Sequence, residues 1–248
     1  MKFLYYLACI GNPKFSFKLK LLESNLNYIY QNINTDFDII VNLYSVDSGS
    51  FELIKETLSK YKFIKNKYIY QKKGVLTELF LTNIHNNKLE NYDYILFILD
   101  DVKIINLELK EMIKIKRKYE IKFISPKVLK STHSWMRLRE DDLTINNFLE
   151  IYCLLLTPED IRLFFSCYSI ENKWMWGVDF MFGHLGIKTG VVNKFVTEHM
   201  LPSHSNGGEA TGCMINYFNK TFDIYGIRSL TQLRHKYKPI KEIIKFEN

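Results

Sequence analysis

The sequence predicts an α/β fold of one domain, built on a mostly parallel central sheet with helices on both faces. Three observations lead there. Several short runs are almost wholly apolar, as strands buried on both sides must be. Stretches with apolar residues at helical spacing separate them. The two kinds alternate, the pattern of a layered α/β sheet. The first strand is FLYYLACI (3–10), closed by the turn residues GNPK. FSFKLKLLESNLNYIYQNI follows as a helix, with Leu19, Leu22, Leu26 and Ile29 on one face. FDIIVNLYSVD (37–47) is the second strand and SFELIKETLSKY the second helix. KYIYQ (67–71) reads as a third strand, GVLTELFLTNI as a third helix and YDYILFILDD as a fourth strand. The pattern then loosens into a helix in LELKEMIKIKRKYE, a strand in IKFISPKVL and an apolar segment in FLEIYCLLLT. TPEDIRLFFSCY opens a helix, with Thr157 as N-cap, Pro158 at the first position and Glu159 and Asp160 in the first turn. GIKTGVVN is a late strand. The domain is expected over 1–225, with a basic tail over 226–248 packing on it or extending from it.

The 248 residues are 47% hydrophobic and 15% aromatic, enough for a sizeable core, and contain no repeat or Pro/Gly-rich linker. The formal charge is +7, from 34 basic and 27 acidic residues. Lys2, Lys18, Lys20, Lys55 and Lys60 form no stripe of the kind a nucleic-acid groove needs, so a solvated basic surface is expected and nucleic acid is not a partner. Cys9, Cys153, Cys167 and Cys213 are widely spaced without a C-x-x-C, as suits reduced thiols in a cytoplasmic compartment. No stretch approaches the roughly 20 apolar residues of a membrane span. The tail LRHKYKPIKEIIKF alternates basic and apolar residues and could rest on an anionic membrane without entering it.

The candidate site begins where the fourth strand ends in Asp100 and Asp101. Ligands of open α/β sheets collect outside the carboxyl ends of the strands. Adjacent carboxylates repel one another, and a divalent ion such as Mn²⁺ or Mg²⁺ removes that cost. A solvent-facing acidic turn is the plain alternative. Further on, WMWGVDF places Asp179 after Trp174, Trp176 and Gly177. A carboxylate beside large rings suits a general base, and an Asp there equally suits a helix N-cap. His199 stands in a polar, Gly-rich loop after an apolar strand, where a neutral imidazole could be a further metal ligand.

Taken in order, YDYILFILDDV, NFLEIYCLLLTP, WMWGVDF and GVVNKFVTEHMLPS resemble metal-dependent GT-A-fold glycosyltransferases. The nearest likeness is to small glycosyltransferase domains of large DNA viruses of algae and related GT-A-like proteins. The resemblance runs from about Leu4 to Gly208. It implies that Asp101 is the metal-holding acid of the D-x-D motif, Asp179 the base that activates an acceptor hydroxyl with inversion, and His199 a late metal ligand. It further implies a nucleoside diphosphate sugar as donor, a glycan or glycoprotein as acceptor and, for a viral chain, the host cytoplasm. The chain departs from the pattern at Leu99, where the motif has its first acid, at Asn193, where an acid follows G-V-V, and at Thr77, often basic in relatives. Donor contacts are expected from Ile10, Gly11, Asn12, Pro13, Tyr44, Ser45, Asp47, Lys73, Asp100, Trp176 and Gly177. Glu150 is a candidate for the acceptor side or for the surface.

Overall fold

The computed structural model describes residues 1–12, 14–33, 36–44, 47–72, 77–79, 89–131, 141–201, 207–237 and 240–246. Pro13, Ser45, Lys73 and most of the expected third helix lie outside the described residues. Strands β1 (Phe3–Ile10), β2 (Phe37–Leu43), β3 (Ile64–Gln71), β4 (Tyr94–Ile98), β5 (Val102–Asn106), β6 (Phe123–Leu129), β7 (Leu143–Asn146), β8 (Cys153–Leu156), β9 (Thr189–His199) and β10 (Ile240–Ile244) form one sheet. Its order is β10-β7-β9-β6-β8-β4-β1-β2-β3, with β5 paired off this path to β9. The expected parallel sheet is continuous from β4 through β1 and β2 to β3, and β6 runs parallel to β9. Antiparallel β8 is inserted between β4 and β6, and β7, β5 and β10 pair antiparallel at the far side. Fully buried strands look alike in sequence whatever their direction, so periodicity could not announce these insertions.

The β1 side chains alternate between two cores. Phe3, Tyr5 and Leu7 pack with helices α1 (Phe15–Ile33), α2 (Ser48–Ser59) and α3 (Leu109–Lys118). Leu4, Tyr6 and Ala8 pack with α4 (Pro158–Ser166), α5 (Val178–His184), α6 (Gly207–Phe222) and α7 (Leu230–Lys236). Helices therefore cover both faces, and β1 must be apolar along its whole length. At the sheet edge, β3 has Lys65 and Lys67 exposed, charges that discourage pairing with another chain. The tail residues of β10 pair with β7.

Local signals set several boundaries. Thr157 and Asp160 form the capping box of α4, the hydroxyl accepting from the Asp160 amide at 3.2 Å and the carboxylate from the Thr157 amide at 2.8 Å. Asp160 also meets Lys116 at the end of α3, 2.7 Å away and buried, which ties these two helix ends together. Two expectations change. His199 does not lie in a loop but is the last residue of β9, because the ladder to β5 and β6 continues through Val196, Thr197 and Glu198. Asp179 is not an N-cap: Gly177 occupies that position with φ 75°, and Asp179 falls in the first turn of α5.

Candidate active site

Asp100 and Asp101 form the turn between β4 and β5, at the carboxyl edge of the parallel strands. Because β5 pairs with β9 in a register that opposes Val102 to His199, this turn is carried to the end of β9. The Met200 amide donates to the Asp101 carbonyl at 2.8 Å and secures the junction. Asp101 Oδ2 and His199 Nε2, 98 residues apart, are 2.9 Å from each other. Tyr152 lies against the imidazole, with ring centroids 4.6 Å apart, and its carbonyl accepts from the Leu99 amide. The imidazole is thus clamped by an aromatic ring on a residue tied to the acidic turn.

Asp100 faces another way. Its Oδ2 pairs with Lys18 Nζ of α1 at 2.8 Å, and each side chain is only 8% exposed. Lys18 also donates to the Tyr44 hydroxyl at 2.8 Å and lies over the Tyr44 ring, 5.3 Å from its centre. The Tyr44 hydroxyl in turn donates to the Asn12 carbonyl at 2.6 Å, and the Tyr44 amide to the Ile10 carbonyl. This chain of contacts joins the ends of β1, β2 and β4. Gly11 fits against the Tyr44 ring so closely that a Cβ there would lie 2.6 Å from it. Burial pushes the Asp100 carboxyl up to about 7 with Asp101 adding to the rise, while Lys18 pulls it down. Burial opposes the Lys18 charge as well, yet Asp100 and Tyr44 hold the ammonium above its usual range. Lys18 is therefore not one of the solvated surface lysines that composition suggested. A charge on the apolar stripe of α1, between Phe15 and Leu22, was the signal that marked it. Asn25 on the same stripe is also buried and binds the β5 backbone on both sides, at Val102 and Ile104.

The remaining predicted residues have separate surroundings. Asp47 caps α2, its carboxylate accepting from the Gly49 amide at 2.9 Å and the Ser50 hydroxyl at 3.0 Å. Trp176 packs against the second core, and its carbonyl accepts from Asn172. Gly177 permits that packing, since a Cβ would meet Phe218 at 2.8 Å. Asp179 is half-buried, near the Tyr168 and Tyr217 hydroxyls. Burial chiefly keeps both hydroxyls protonated, and the Asp179 charge adds to the effect. Glu150 is buried rather than superficial and accepts from the Ser131 hydroxyl. Asn193 binds Asp141 and the Thr144 hydroxyl, a buried link between β9 and the start of β7. Thr77 donates to the Asn172 carbonyl at 2.6 Å.

The donor set can be tested against a divalent ion. Asp101 Oδ1 is buried without a hydrogen-bond partner among the described residues. Ligands about 2.1 Å from an octahedral ion and at right angles are about 3.0 Å apart. The 2.9 Å between Asp101 Oδ2 and His199 Nε2 is close to that figure, but it is the length of a direct hydrogen bond, which an ion would have to displace. Carboxylate and imidazole both suit Mn²⁺, and carboxylate suits Mg²⁺. Among the described residues no group of three or more His, Cys, Asp or Glu is placed to hold a metal, so these two donors fit an ion only with outside ligands.

No family profile matches the chain, and no curated protein sequence does. Solved structures do match. The crystal structure of GalNAc-T7 with UDP, GalNAc and Mn²⁺ aligns with a TM-score of 0.63 and 10% identity, over 95% of this chain and 54% of that one. The fold is that of the GT-A glycosyltransferases. The crystal structure of TarS from S. aureus aligns with a TM-score of 0.54 and 10% identity, over 94% of this chain and 45% of that one. The GT-A-like chain thus spans about half the length of these proteins. No helix among its described residues is long and apolar enough to cross a membrane.

Proposed function

We propose that this chain transfers a sugar from a nucleoside diphosphate sugar to a hydroxyl of a glycan or glycoprotein, with inversion at the anomeric carbon. The observation that carries the reading is the meeting of Asp101 with His199 at strand ends of a GT-A-like sheet. The GalNAc-T7 structure, with its UDP and Mn²⁺, supports the choice of ligand class.

The nucleoside would lie against the ends of β1 and β2, where Ile10 to Asn12 and Tyr44 are tied together. Asp101 and His199 would hold Mn²⁺ or Mg²⁺, which supplies positive charge to the leaving diphosphate. The Met200 amide fixes the Asp101 backbone, and an ion there would take the place of the hydrogen bond between the Asp101 carboxylate and His199. Asp179 would accept the proton of the acceptor hydroxyl as the oxygen attacks the anomeric carbon. Its place in the first turn of α5, on a backbone bend that only Gly177 accommodates well, fixes the carboxylate relative to the core. Tyr168 and Tyr217 beside it stay protonated at neutral pH, and the Tyr217 hydroxyl donates its proton to the Cys167 carbonyl.

The Lys18–Asp100 pair and Leu99 favour a second reading, a nucleotide-sugar-binding protein that has kept the fold and lost the reaction. One experiment separates the two. Thermal shifts are measured with UDP, GDP, CMP and dTDP and their sugars, with and without Mn²⁺, followed by turnover of the stabilising donor. A ligand at 100 times its Kd adds about 2.7 kcal/mol. Asp179→Asn should keep the shift and lose turnover. Absence of any turnover by the unaltered chain with a donor that stabilises it supports the second reading, and absence of any shift refutes both.

A further inference from the structure

We propose that Trp174 is the platform of an acceptor subsite for a neutral oligosaccharide, its ring stacking on a sugar unit beyond the one that carries the reacting hydroxyl. The inference rests on reading Asp179 as the base of a transferase, and it narrows the acceptor to a glycan chain. It starts from a side chain whose position is unfavourable in two ways. Met175, the next residue, has φ 57°, a region that L-residues seldom occupy. The Trp174 indole N–H is buried without a hydrogen-bond partner among the described residues, although buried donors are almost always paired.

Packing offsets neither cost. Met175 and Trp176 both lie against the second core, whereas Trp174 packs against neither core and makes no ring contact among the described residues. Side chains two apart on an extended chain share a face, so Trp174 would follow Trp176 inward but for the turn at Met175. The backbone thus holds a half-buried indole at the surface without internal partners. Strain of this kind is kept at active sites and ligand clamps.

Place and charge balance name the ligand. The Val178 amide donates to the Met175 carbonyl and the Phe180 amide to the Gly177 carbonyl, so tight turns connect Trp174 to Asp179. They keep the two Cα atoms within about 15 Å, a span that a short oligosaccharide covers. The flanking charges are balanced within the protein: Lys173 meets Glu209 at 3.9 Å and Glu171 meets Lys220 at 3.5 Å. A half-buried indole in such surroundings suits a ligand with an apolar CH face and a rim of hydroxyls, which is a pyranose, and offers little hold on a charged peptide.

The test is made without donor. The unaltered chain, Trp174→Ala and Trp174→Phe are compared by saturation-transfer NMR with α- and β-linked disaccharides of glucose, galactose, mannose, xylose and the N-acetylhexosamines, and with unglycosylated Ser/Thr peptides. A disaccharide should bind the unaltered chain, roughly tenfold more weakly to Trp174→Ala, and with a smaller loss to Trp174→Phe, which keeps an aromatic face. Fluorine-labelled tryptophan gives three signals in the unaltered chain, and the one that Trp174→Phe removes should shift when the disaccharide is added. That signal decides the matter if Trp174→Ala is unfolded. No disaccharide binding, undiminished binding by Trp174→Ala, an unmoved Trp174 signal, or binding of the peptides instead would each overturn the proposal. Failure here leaves untouched the donor thermal shifts that test the transferase reading.

Discussion

Replacement of Gly177 by alanine should destabilise the protein through two separable effects, and comparison with Gly186 isolates them. Both glycines are in the left-handed region, Gly177 at φ 75° and Gly186 at φ 67°. An L-residue there costs about 1–2 kcal/mol. The added Cβ at Gly186 meets no heavy atom within 4 Å, so Gly186→Ala should cost about that much and no more. At Gly177 the same atom would lie 2.8 Å from the Phe218 ring and 3.0 Å from Met214, both buried. Overpacking of a core adds about 1–3 kcal/mol, which brings Gly177→Ala to about 2–5 kcal/mol. Urea unfolding followed by circular dichroism gives both values from the midpoints, provided the slopes agree. Relief of the clash moves α6 away from the start of α5, so any transferase activity should fall in Gly177→Ala and persist in Gly186→Ala. Equal stability losses in the two variants would refute the packing argument, and with it the claim that Gly177 fixes the backbone bearing Asp179.

Further outcomes concern the ion pairs and the buried hydroxyls. Lys116→Met should cost about 3–5 kcal/mol in the same urea assay, because it leaves Asp160 buried without its cation. Adding Asp160→Asn should recover part of that loss, and an additive double variant would show that the pair is not coupled. If Asp101 and His199 hold Mn²⁺ as proposed, His199→Ala and Asp101→Asn should each weaken its binding in calorimetry, and unchanged binding would refute that role for both. Burial raises the folded-state values of Cys153 and Cys167 from 9.0 to about 12 and that of Tyr44 from 10.0 to about 12. Raised values contribute stability that is complete below the unfolded values and lost as pH climbs through the folded ones. Unfolding free energy should therefore decline between pH 9 and 12, and a flat profile across that window would contradict the burial of these groups.

Much of the architecture was legible because its signals are local. The helical period of residues 15–33 and the T-P-E-D start of α4 act within a few residues, and they fix boundaries without any long-range partner. The parallel block β4-β1-β2-β3 also follows from strand–helix alternation. Strand direction beyond β4 was not legible, since CLLL and LTIN are too short and too uniformly buried to say which way they run. The extent of β9 was missed for a related reason. Its last residues, Thr197 to His199, look polar enough for a loop and are strand only because β5 and β6 pair with them.

The candidate site divides in the same way. The amino-acid sequence determined which groups are available: two carboxylates after an apolar strand, an aspartate behind a glycine and two tryptophans, and a histidine after G-V-V. It also carried a mark of Lys18, as a charge on an apolar stripe, though not the identity of its partner. Tertiary structure decided that Asp101 meets His199 and that Asp100 meets Lys18, because both depend on side chains brought together by packing rather than by chain neighbourhood. Two adjacent aspartates are nearly equivalent in a sequence. They became different only when α1 placed an ammonium over one of them and the β5–β9 ladder placed an imidazole beside the other.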